Sequence, residues 1–167
     1  MSSSGLRLAA ITVASTCVCA WAAPAGAQLL DHKDLTAALA VTIAQTAIET
    51  CKANGYAVSA TVVGRAGEII AQVRGDNTSP HTMENSFRKA YTAGTLRSPS
   101  AALVDRLKAD PTLGYVHLTN IIAFAGALPI KLGDEVIGAA GASGAPGGEK
   151  DEACVKAAID KVADQLK

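Results

Sequence analysis

Three histidines, a run of acids, two serviceable cysteines and a glycine-rich segment are the features of this chain that could do chemistry. His32, His81 and His117 lie far apart, and neither His-x-x-x-His nor Cys-x-x-Cys spacing is present, so no zinc site is encoded locally. His81 stands in Ser79-Pro80-His81-Thr82, a polar loop leading into a helical stretch, where an imidazole can face a ligand or cap the helix. His117, close to Tyr115, reads as structural or solvent-exposed, and His32 as a metal ligand or a loose side chain. Asp151, Glu152 and Glu84 are the acids best placed to join a histidine around a metal, although solvated helix ends are their default reading. Ser143 follows an apolar run, but Gly141-Ala142-Ser143-Gly144-Ala145 lacks the last glycine of a hydrolase nucleophile elbow. The segment Gly138 to Gly148 suggests a phosphate loop. It has no Gly-Lys-Ser/Thr ending, and Glu149, Asp151 and Glu152 would repel a phosphate at the following helix, so close packing and a tight turn explain its glycines better.

The elements that must position these residues follow from periodicity. Leu35, Leu39, Ile43, Ala47 and Cys51 recur every fourth residue, which predicts a helix over 34–53 stopped by Asn54-Gly55. Tyr56 to Val63 and Glu68 to Arg74 read as a hairpin around Gly64-Arg65-Ala66-Gly67. Met83, Phe87, Ala90 and Tyr91 share a helical face that ends at Gly94, and Ser98-Pro99 has the form of an N-cap opening a short helix through Leu107. Ile121 to Ala125, Leu128 to Leu132 and Glu135 to Ala140 are extended candidates, with Gly133-Asp134 as a hairpin turn. Val155, Ala158, Ile159, Val162 and Leu166 give a last helix with acids at its start and lysines toward its end. The order α-β-β-α-α-β-β-α, with a third strand in the second sheet segment, predicts an antiparallel sheet covered by helices.

The ends and composition bound the setting. Arg7, an uncharged apolar run to Trp21 and Ala25-Gly26-Ala27 have the form of a secretory signal peptide over residues 1–27, leaving one domain over 28–167 in the periplasm or outside the cell. Loss of Arg7 leaves 14 basic against 15 acidic residues, a net charge of −1, which argues against nucleic acid as a partner. No membrane association is expected once the leader is removed. Cys17 and Cys19 leave with it, so Cys51 and Cys154 are either a disulfide or two small buried hydrophobes. If they bond, the first and last helices pack antiparallel on one sheet face.

Two groups of residues resemble a known family. Ala127-Leu128-Pro129-Ile130, Gly133 to Ala139, Gly141 to Gly148 and Asp151-Glu152-Ala153-Cys154 look like the closing signature of the GlcG/HbpS-like family. Gly75-Asp76, Pro80-His81-Thr82 and Arg88-Lys89-Ala90-Tyr91-Thr92-Ala93 resemble its middle signature. Gly126-Ala127 stands where the family usually has Gly-Gly, and Ala142 where it has valine, which puts the pocket shape in question. The resemblance implies an α+β fold of the profilin-like kind: a three-layer α/β/α domain with a mostly antiparallel five-stranded sheet, assembled as a homo-oligomer, a dimer or larger. It also implies haem or iron binding.

The expected function is therefore an exported haem-binding protein, in haem and iron handling or redox sensing. His81 is the candidate axial ligand of the haem iron, Thr82 its local support, and Arg88 and Lys89 the candidates for the propionates. The alternative is a non-haem module that binds iron or a small ligand and acts through a partner protein. An enzyme that degrades haem ranks behind both, because the sequence displays no acid–base pair or activated nucleophile.

Overall fold

A computed structural model describes residues 29–167, so the expected signal peptide lies outside the described residues. The chain divides into two units, Met1–Asp31 and His32–Lys167, and the second carries every element described below. Helix α1 (Ala37–Ala53) begins at Thr36, whose hydroxyl accepts the Leu39 amide, and buries Ala40, Ile43, Ala44, Ala47 and Cys51 along one stripe. Strands β1 (Ser59–Gly64) and β2 (Ile69–Val73) form the first hairpin, and β3 (Ala127–Leu132) and β4 (Glu135–Ser143) the second. Between them lie α2 (Thr82–Leu96) and α3 (Ala101–Ala109), and α4 (Gly148–Lys161) closes the domain.

The sheet is antiparallel throughout, in the order β2-β1-β4-β3, with β1 and β4 at its centre. All six residues of β1 are buried, because helices cover both faces. Its alternation sorts them: Ala60 and Val62 join the core under α1 and α4, and Val63 joins Ala90, Ala93, Ala127 and Ala139 under α2. Ser59 and Thr61 also turn toward α2, where their hydroxyls meet those of Thr82 and Ser86 at 2.8 and 2.7 Å. The α2 layer is therefore polar at one end and apolar at the other. It also lies unusually close to the sheet, since a side chain on Gly141 would begin 2.6 Å from the Ser86 carbonyl oxygen and 2.8 Å from the Ala90 nitrogen.

Four strands form the sheet among the described residues, not five. The apolar run Ile121 to Ala125 stays irregular because its backbone polar groups are taken by α2 side chains instead of a neighbouring strand. Thr92 Oγ1 accepts the Ile122 amide at 2.9 Å, and Arg88 donates to the Ile121 carbonyl at 2.9 Å. Two helix limits also shift. Helix α2 runs through Gly94, whose missing side chain faces Ala139 and Val63, and ends at Arg97 in the left-handed region. Helix α3 opens two residues beyond Ser98, at Ser100, whose amide donates to the Ala127 carbonyl while its hydroxyl accepts the Ala127 amide.

Cys51 and Cys154 form a disulfide with a Cα–Cα distance of 5.5 Å, both buried between α1 and α4. The bond joins the end of α1 to the first half of α4. Leu35 and Thr36 meet Gln165 and Leu166 around a hollow at the other end, so the two helices run antiparallel on one face. The bridge closes a sequence separation of 103 residues. A Cys51→Ser, Cys154→Ser variant is expected to unfold with about 2–5 kcal/mol less stability in urea. Free thiols found at both positions by mass spectrometry of the oxidised wild type would contradict the bond.

Candidate functional site

A cleft of about 590 Å³ opens at the polar end of the α2 layer. One side is the start of α2, with His81, Thr82, Asn85 and Lys89; the other is the end of β4 and the entry to α4, from Ser143 to Gly148. Tyr56 and Phe124 supply its aromatic walls. The loop before α2 is held by hydroxyl bonds. Thr82 Oγ1 lies 2.8 Å from the Ser79 carbonyl oxygen and 2.8 Å from Ser59 Oγ, and the Thr78 hydroxyl donates to the Gly75 carbonyl. These bonds fix the backbone at His81, whose imidazole makes no capping bond and is exposed.

The cleft floor holds a buried ion pair. Lys89 Nζ lies 2.7 Å from Asp151 Oδ2 and donates to the Ala142 carbonyl at 3.1 Å, and both side chains are under 5 % exposed (4 % and 3 %). Asp151 Oδ1 accepts the Ala145 amide at 3.0 Å. Burial pushes the Asp151 carboxyl above its ordinary range, while Lys89 and the amides of Ala145 and Gly144 act in the opposite direction. Gly126 makes the pair possible sterically. At φ +126° it turns an empty side toward the pair, where a β-carbon would come within 2.8 Å of Lys89 Nζ and 2.9 Å of Asp151 Cβ.

The other candidate residues lie elsewhere. Arg88 reaches Glu84 at 3.4 Å and the Ile121 carbonyl, and does not line the cleft. His32 pairs with Asp34 at 3.3 Å, and His117 lies exposed in a short 3-10 turn, Gly114–His117. Among the described residues, no group of three or more histidines, cysteines and acids is arranged to hold a metal ion. Glu152 turns toward a separate groove with Leu128, Pro129 and Ile159. Its Oε2 is buried without a hydrogen-bond partner. The Lys89–Asp151 pair was not foreseen from the sequence, although one signal was present. Thr82, Ser86, Lys89 and Ala93 are spaced by four, three and four residues, and that stripe is the buried one.

The fold and this cleft define an antiparallel three-layer α/β/α domain with a polar-floored site where α2, β4 and α4 meet. The chain belongs to the family described as haem degrading protein HbpS-like, whose model matches residues 35–160. It is similar to HbpS, whose crystal structure superposes with a TM-score of 0.78 at 31% identity, covering 84% of this chain and 99% of that one. A 15.0 kDa protein of the dhaT-dhaS intergenic region of Citrobacter freundii is 34% identical over 103 residues, 60% of this chain and 72% of the relative. The PduOC:haem complex shares the fold, with a TM-score of 0.70 at 20% identity over 77% of this chain and 94% of that one.

Two outcomes test this electrostatic reading. Lys89→Met leaves Asp151 as an unpaired buried charge and is expected to cost about 3–5 kcal/mol in urea unfolding, whereas adding Asp151→Leu restores a large part of the loss. Glu152 responds to pH. Burial raises its carboxyl above the ordinary 4.5, partly offset by the Gly126 amide. The fold thus favours the protonated acid, a contribution present below the unfolded value and lost as pH rises through the higher folded one. Glu152→Gln should therefore gain stability relative to wild type as pH rises past the ordinary 4.5 and through the higher folded value; a pH-independent difference would contradict this.

Proposed function

We propose that the chain is an exported haem-binding protein that takes haem in the cleft, with His81 as the axial ligand. The observation that carries the reading is an exposed imidazole at the mouth of a cleft of about 590 Å³ in a member of a haem degrading family. The fit is chemical as well as spatial. His81 offers a nitrogen of the kind that ligates haem iron, the exposed Phe124 ring offers flat apolar surface, and the Lys89 ammonium lies at the floor for a propionate. Haem, when bound, supplies a redox-active iron. Thr82 supports the site by fixing the backbone next to His81 through Ser59 and Ser79. Of the two cations proposed for the propionates, Lys89 is favoured over Arg88, which is spent on Glu84 and the Ile121 carbonyl.

Export is supported by the disulfide, which persists in an oxidising compartment, and by the leader-like composition of residues 1–27. No helix of the described residues is long and apolar enough to cross a membrane. A homo-oligomer is the proposed assembly, and the half-exposed Val116, Leu118 and Phe124 are side chains suited to such a contact. Haemin titration followed by absorbance tests the site. Wild type should give a saturable Soret shift, and His81→Ala should lose it or bind at least tenfold more weakly; identical spectra and affinity would overturn the assignment of His81. Saturation by iron or a small ligand without any haemin response would favour the non-haem module.

A further inference from the structure

The inner half of the cleft carries polar groups that the haem reading leaves unused. Its wall is polar, and the donors there are only partly used. An ammonium group has three N–H bonds. Lys89 spends two of them, on Asp151 Oδ2 and the Ala142 carbonyl, while the residue still lines the cleft. The charge of Asp151 is covered on its other side, where Oδ1 accepts the Ala145 amide. Asn85 and Ser143 also line the cleft, and neither side chain enters the hydroxyl network that joins Ser59, Thr78 and Thr82 or the one that joins Thr61, Ser86 and Gln72. Ser143 lies directly across from Ser59 in the sheet, on the face that α2 covers. One lysine ammonium, one carboxamide and one hydroxyl therefore line the same cleft, where the charge of Asp151 is already paired.

We propose that this inner half binds a short hydroxy- or oxo-carboxylate. The carboxylate accepts the third Lys89 proton and the Asn85 amide, and its neighbouring hydroxyl or keto oxygen meets Ser143 Oγ. Charge-assisted acceptors are preferred there because a neutral ligand would leave the ammonium proton with a weaker partner in a desolvated site. Lys89 holds its position through Asp151, so the ligand adds to the pair and does not replace it. The site shares Lys89 with the propionate of the haem reading but needs no iron and no His81, so the haem-free protein and the His81 variant tell the two apart.

Lactate, with lactamide as its neutral counterpart, is the probe, titrated calorimetrically into the purified, oxidised, haem-free protein. Lactate should bind saturably and at least tenfold more tightly than lactamide. Asn85→Ala and Ser143→Ala should each weaken lactate about fivefold, the loss of about one hydrogen bond. Neither variant breaks a bond that holds the fold, and equal unfolding midpoints to wild type verify this. His81→Ala should bind lactate as wild type does. The proposal is overturned by the absence of saturable lactate binding in the millimolar range, by equal affinity for lactamide, or by unchanged affinity in both the Asn85 and Ser143 variants.

Discussion

The buried ion pair between Lys89 and Asp151 ties the helical layers on the two faces of the sheet together. Lys89 comes from α2 on one face of the sheet, Asp151 from α4 beside the other, and the Ala142 carbonyl they share a neighbourhood with belongs to the central strand β4. Two charges with almost no exposure are costly to desolvate, and the attraction between them compensates only while the geometry holds. That requirement propagates. Gly126 must stay empty, α2 must stay at its short distance from β4, and the loop from Ser143 to Gly148 must deliver the Ala145 amide to Asp151. The raised carboxyl of Asp151 is the mark of this balance, in which burial outweighs the combined pull of Lys89 and the amides.

The disulfide secures the other half of the same arrangement. Cys154 follows Asp151 by three residues on α4, so the bond to Cys51 on α1 and the ion pair to Lys89 on α2 hold nearly adjacent turns of one helix from two directions. The far end of the domain is clamped differently. Arg65, in the β1–β2 turn, reaches Glu135 at 2.5 Å, Asp34 at 3.3 Å and the Lys33 carbonyl at 2.7 Å, linking both hairpins to the segment before α1. These contacts are partly open to solvent, so each contributes little to stability. The cleft thus lies at the end of the domain where α4 is most firmly fixed.

The apolar face of the domain was legible from sequence and the polar face was not. Helices α1 and α4, both hairpins and the Gly133-Asp134 turn follow from apolar periodicity because their cores are built from aliphatic side chains. Helix α2 misleads the same reasoning. Of the apolar face marked by Met83, Phe87, Ala90 and Tyr91 only Ala90 is buried, whereas Thr82, Ser86, Lys89 and Thr92 all are, and hydrophobic periodicity does not register a stripe made of hydroxyls and an ammonium. The fifth strand fails for a related reason. Ile121 to Ala125 is apolar enough to be a strand, but Thr92 and Arg88 from that polar helix take its backbone groups first. Of the site residues chosen from sequence, His81, Thr82 and Lys89 line the cleft and Arg88 does not.

The glycine-rich segment shows why the site depends on a lysine and not on a helix end. Such a segment before a helix ordinarily frees the first amides to hold an anion. Here Asp151, in the first turn of α4, reaches back and accepts the Ala145 amide, so the chain supplies its own anion to that position. The glycines serve contact instead: a β-carbon on Gly144 would begin 2.2 Å from the Ala57 carbonyl oxygen, and one on Gly148 2.4 Å from the Ala125 carbonyl oxygen. They let the loop close over the end of the sheet and press Asp151 against Lys89. Lys89 is thus neutralised within the chain, by Asp151 and the Ala142 carbonyl, and recognition at the floor must come from hydrogen-bond geometry more than from net charge.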